Sequence, residues 1–153
     1  MSRHIYGSPR LVEGAAVEKK QPAFAPFFRA LSDLTRLRLL NLLAGGEICV
    51  CYFVAVIGTN QPKISRHLAY LRKAGIVSSR RQGKWIYYRV AEPPQPGLAR
   101  LLRETLAQLG ENPQMRKDRD KLRNVQLASR RGPQQLAETS ARLPTPTERV
   151  VRG

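Results

Sequence analysis

Gln61-Pro62-Lys63-Ile64-Ser65-Arg66-His67-Leu68-Ala69-Tyr70-Leu71-Arg72-Lys73-Ala74-Gly75 is the stretch that decides the fold. Ile64, Leu68 and Leu71 recur at helical spacing, so the segment reads as an amphipathic helix with those three turned inward. Thr59 or Asn60 can cap its start, Pro62 suits its first turn, and Gly75 closes it. Lys63, Arg66, His67, Tyr70 and Lys73 are left for solvent or a partner. The chain carries a formal net charge of +16 over 153 residues, so a polyanion is the first partner to consider.

Working outward, the flanking segments complete a recognisable order. Upstream, a short helix is predicted from about Glu47 to Ile57, with Gly58 as its stop. Before it, Leu37, Leu39, Leu40, Leu42 and Leu43 make a largely buried helix, capped by Ser32 or Asp33 and ended by Gly45-Gly46. Phe24, Phe27, Phe28 and Leu31 mark another helix after Pro22. Downstream, Val77 to Arg81 and Trp85 to Val90 alternate around Gln82-Gly83-Lys84, a hairpin signal with a basic tip. The sum is a mainly α domain with a small β-hairpin: a winged helix-turn-helix.

After Pro93-Pro94-Gln95-Pro96-Gly97, a stripe of Leu98, Leu101, Leu102, Leu106 and Leu109 exceeds what so small a domain can bury. It is expected to pack on a second subunit, so the domain dimerises through its terminal helices. The predicted organisation is a mobile arm over residues 1–21, the DNA-binding and dimerisation domain over 22–110, and a basic, largely disordered tail over 111–153. Within that tail, Met115 to Arg123 is expected to form a solvated helix.

Several classes of function fall away. No apolar run approaches the roughly 18–20 residues of a membrane span, and Met1 to Tyr6 lacks a secretory apolar core. Two cysteines separated by one residue make a poor disulfide framework, which places the chain in a reducing cytoplasm. No Cys-x-x-Cys, Ser-His-Asp set, carboxylate pair or phosphate-cradling glycine loop is present, so no enzyme activity is expected.

Ala30-Leu31-Ser32-Asp33-Leu34-Thr35-Arg36-Leu37-Arg38-Leu39-Leu40, Glu47-Ile48-Cys49-Val50-Cys51, the Gln61–Leu68 stretch, Leu71-Arg72-Lys73-Ala74-Gly75-Ile76-Val77 and Arg81-Gln82-Gly83-Lys84-Trp85-Ile86-Tyr87-Tyr88-Arg89 together resemble the ArsR/SmtB family of winged-helix repressors. One departure is Leu34, where the family has proline. The resemblance implies a homodimer on palindromic double-stranded operator DNA, released by an effector. In the arsenic-sensing branch the inducer site is a Cys-Val-Cys motif with a third cysteine three residues on. Cys49 and Cys51 match the first two positions and Val54 stands at the third. The zinc or cadmium site of the last helix uses Asp and His, and the Leu98–Leu109 segment has neither.

Trivalent arsenic and antimony are soft, so Cys49 and Cys51 are the expected metal ligands, with arsenite or antimonite as inducer and no resident cofactor. On a regular helix, side chains at i and i+2 diverge by about 200°; on that reading, an ion gripping both sulfurs unwinds or strains the helix start. A helix start favours thiolate, and Glu47 opposes it. Other readings stay open: a different thiophilic metal, thiol oxidation, a buried cysteine pair acting only as small hydrophobes, or a sequence-nonspecific basic DNA-binding protein. For DNA, Gln61, Lys63, Ser65, Arg66 and His67 lie on the groove-entering half of the recognition helix. Arg81, Lys84 and Arg89 on the wing suit phosphate or the minor groove. Trp85, Tyr87 and Tyr88 are expected to pack rather than stack on bases.

Overall fold

A computed structural model describes residues 24–129. The expected arm over 1–21 and the end of the expected tail lie outside the described residues. Helices α1 (Phe24–Leu31) and α2 (Leu34–Leu43) lead into a two-residue strand β1 (Ile48–Cys49) and helix α3 (Val50–Ile57). Helix α4 (Gln61–Lys73), strands β2 (Val77–Gln82) and β3 (Trp85–Val90), and helices α5 (Pro96–Glu111) and α6 (Pro113–Ala128) follow.

Local chemistry sets the boundaries. Asp33 caps α2 by accepting from the Arg36 amide at 2.9 Å, and Asn60 caps α4 by accepting from the Lys63 amide at 3.0 Å. Between α3 and α4, Gly58 takes φ of 77°, the left-handed turn that favours glycine. Phe27, Leu39, Leu40, Phe53, Ile64, Leu68, Leu71, Ile76 and Leu102 are fully buried, so α2, α3, α4 and α5 share one core.

The structure departs from the sequence expectation at three places. First, the sheet has three strands in the order β1-β3-β2, because Ile48 and Cys49 pair antiparallel with Tyr88 and Tyr87. Both residues are buried, and their backbone polar groups need partners that the free edge of β3 supplies. The helix expected from Glu47 therefore starts at Val50.

Second, the leucine stripe divides. Leu98 and Leu102 enter the protomer's own core, whereas Leu101 stays 45% exposed. Third, the helix expected to be solvated over 115–123 is longer and packed. Met115, Asp118 and Leu122 are buried against the body of the domain. Arg38 grips the Asp118 carboxylate with two hydrogen bonds, from Nε at 2.7 Å and Nη2 at 2.8 Å. Asn41 Nδ2 donates to the Met115 carbonyl at 2.9 Å. Lys121 Nζ donates to the Val56 carbonyl at 3.1 Å, and Tyr52 and Ser129 hydroxyls meet at 2.9 Å, so α6 also holds α3.

Candidate functional site

Cys49 and Cys51 flank the joint between β1 and α3. Cys49 is the residue before the first helical turn, with extended backbone (φ −71°, ψ 143°), and Cys51 lies in that turn. Because Cys49 is not helical, the two side chains converge instead of diverging. Their sulfurs are 3.3 Å apart, with the Cys51 thiol donating to Cys49. The divergence expected of a regular helix is thus corrected: the two sulfurs already meet.

That hydrogen bond separates the two acidities. Donation from the Cys51 thiol, aided by the Cys51 and Val50 amides and opposed by burial, lowers the Cys49 pKa to about 6. Cys51 is pushed upward by holding the shared proton and by burial. Glu47, the acid expected to oppose thiolate formation, is occupied: Arg80 Nε donates to its carboxylate oxygens at 3.0 and 2.9 Å. The guanidinium holds that carboxyl below its ordinary range.

Among the described residues, no group of three or more His, Cys, Asp or Glu side chains gathers to complete a four-ligand cage.

The pair is wired to the wing. Cys49 lies opposite Tyr87 on β3, and Tyr87 lies opposite Arg80 on β2, so the three form one row across the sheet. Arg80 stacks over the Tyr87 ring at 4.6 Å while gripping Glu47. Sequence reasoning missed this row. Its signal was the strand alternation that separates Arg80 from Arg81, unreadable without knowing that β1 exists.

On α4, Gln61, Lys63 and Arg66 are exposed and Ser65 is half-buried, all on its N-terminal half. His67, expected among the DNA-facing residues, is half-buried, with its Nδ1 3.6 Å from Asp33 Oδ1 just before α2. Arg81 and Lys84 are exposed on the wing, with Lys84 Nζ 5.3 Å from the Trp85 ring centre. Arg89 Nε donates to Ser78 Oγ at 3.1 Å. Tyr88 is buried edge-on against Phe53, the packing role expected of it.

Comparison with known proteins follows the same lines. The family described as "Bacterial regulatory protein, arsR family" matches residues 33–79. An arsenic resistance transcriptional regulator of Pseudomonas putida is 53% identical over 64 residues, covering 41% of this chain and 56% of that protein. An uncharacterized helix-turn-helix-type transcriptional regulator of Methanocaldococcus jannaschii is 40% identical over 89 residues, covering 58% of this chain and 99% of that protein. Among solved structures, a homodimeric winged helix-turn-helix DNA-binding domain from Mycobacterium bovis aligns with a TM-score of 0.51 at 28% identity. It covers 67% of this chain and 96% of that one. The chain spans little more than half the length of the arsenic-resistance relatives it matches.

Proposed function

The chain belongs to the arsR family of bacterial regulatory proteins, and from that premise we propose that it is a metalloid-responsive transcriptional repressor that grips operator DNA as a homodimer. Arsenite or antimonite, bound by Cys49 and Cys51, frees the DNA. The observation that carries this reading is the pair of converging sulfurs, 3.3 Å apart, at the joint between the sheet and α3.

On this reading Gln61, Lys63, Ser65 and Arg66 meet the major groove, while Arg81 and Lys84 hold flanking phosphates. His67, on the same half of α4, faces the DNA beside them. Dimerisation uses apolar side chains that one protomer leaves uncovered, with Phe24 54% and Phe28 52% exposed on α1 and Leu101 on α5. A reducing cytoplasm suits the unbridged thiols; among the described residues no helix is long and apolar enough to cross a membrane.

Two routes link the thiols to DNA. One runs along α3 and the Gly58 turn into α4. The other runs from Cys49 through Tyr87 to Arg80 and the wing. An inducer replaces a thiol hydrogen bond with a larger ion where Cys49 is 2% exposed, so β1 or α3 must shift to admit it. That differential fit is the free energy that biases the dimer toward release.

Metalloid titration of a labelled promoter fragment bound to reduced protein tests the reading. Arsenite or antimonite should release the DNA from wild type and leave Cys49→Ser bound. Release that survives the substitution, or no release at all, rejects it.

A further inference from the structure

Resting on the reading of α4 as the groove-entering helix, we propose that α6 is a further DNA-contacting element, with Lys117 and Lys121 gripping the phosphate backbone beside the bases that α4 meets. Five cations lie on α6: Arg116, Lys117, Arg119, Lys121 and Arg123. The three arginines are engaged within the protein. Arg116 Nη2 donates to the Glu111 carbonyl at 3.0 Å, Arg119 Nε donates to the Asn41 carbonyl at 3.3 Å, and Arg123 pairs with Asp120 at 3.4 Å. Lys117 and Lys121 are both exposed and four residues apart, so they share one face. Among the described residues neither pairs with an acid.

Helix α3 sets where that face lies. Ser129 meets Tyr52 near the start of α3, and Lys121 Nζ donates to the Val56 carbonyl at its end, so the two helices run antiparallel. Val56 is two residues before Gly58, which opens the turn into α4. Lys121 uses one of its three ammonium donors on that carbonyl and keeps two. At 1.5 Å per residue, Lys117 lies about 6 Å farther along the same face, past the end of α3 and beside that turn. A helix that enters the major groove by its N-terminal half has a phosphate strand on either side. The two lysines flank that end of α4, where Lys63 is also exposed, and the wing grows from its other end. The polyanion that fits this face is therefore the backbone of the same duplex. Phosphate contacts carry no sequence information, so α6 adds affinity and register rather than base preference.

The test is fluorescence anisotropy of the full chain on promoter and scrambled duplexes, from about 50 to 200 mM potassium chloride. Lys117→Gln and Lys121→Gln should each flatten the log–log salt dependence by about 0.9 per bound protomer, with the preference for promoter over scrambled duplex unchanged. Lys121→Arg should keep the wild-type slope. Arg123→Gln removes the same charge from the side of α6 that lines the Ala44–Ile48 loop, and should also keep it. Circular dichroism checks that every variant folds. A wild-type slope in either glutamine variant, or equal flattening in Arg123→Gln, overturns the inference and leaves the DNA reading of α4 standing. Lost promoter preference at an unchanged slope in Lys121→Gln would make that lysine only a cap on α3 that positions α4, and overturns it too. A wild-type chain that binds both duplexes alike overturns the inference together with the reading it rests on.

Discussion

Replacing Asp118 by asparagine keeps the side chain's shape and removes its charge, which isolates what α6 contributes. The carboxylate is 3% exposed and accepts from Arg38 Nε, Arg38 Nη2 and Gln114 Nε2 at 2.7, 2.8 and 3.0 Å. Asparagine keeps one acceptor oxygen and turns an amide donor toward the Arg38 fork, so a charge-assisted bond becomes two donors facing each other. Breaking a fully buried pair costs about 3–5 kcal/mol. Arg38 is 21% exposed, which lets water repair part of the loss, and about 2–3 kcal/mol is the expected cost. Urea unfolding by circular dichroism, at fixed protomer concentration, measures it. Asp120→Asn is the control, because Asp120 pairs with Arg123 at 3.4 Å with both side chains about two-thirds exposed, and its expected cost is below ~0.5 kcal/mol. Equal stabilities for the two variants would refute the claim that α6 is clamped to the domain.

Alkylation by iodoacetamide should follow the thiolate of Cys49: its pKa is lowered to about 6, so the rate reaches half its plateau near that pH, and Cys51→Ser should move the profile upward. A half-rise near the ordinary thiol range in wild type would contradict the shared-proton pair. Arg66→Ala and Lys84→Ala should part company on DNA. Loss of a phosphate contact at Lys84 flattens the salt dependence by about one ion, whereas loss of a base contact at Arg66 relaxes sequence preference by roughly 1–3 kcal/mol. Salt-dependent anisotropy on cognate and scrambled duplexes separates the two outcomes. Phe28→Glu, on the exposed side of α1, should shift sedimentation from dimer toward monomer with the helical circular dichroism retained; an undisturbed dimer would move the interface elsewhere.

How much of this was legible from residues depends on the range of the interaction. The core of α4 was readable because Ile64, Leu68 and Leu71 obey one period, and its cap was readable because Asn60 acts within three residues. The wing hairpin followed from alternation around Gly83. Strand β1 was not readable: two residues carry no periodicity, and their strand character comes from the edge of β3 nearly forty residues away. The same distance hid the convergence of the thiols, since only an extended Cys49 brings it about. Helix α6 was misread as solvated because its inward position 118 is an aspartate, whose partner Arg38 lies 80 residues upstream. Met115, Asp118 and Leu122 share a face once that acid is counted as an inside residue.

Release of promoter DNA by arsenicals from wild type and from Cys51→Ser, measured together with sulfur-to-arsenic absorption on the same samples, joins the chemistry to the switch. Absorption and release should rise together at one arsenic per protomer in wild type, and both should vanish in the variant. Saturated thiols on a dimer that still holds its promoter would contradict the coupling between the β1–α3 joint and the DNA-reading elements.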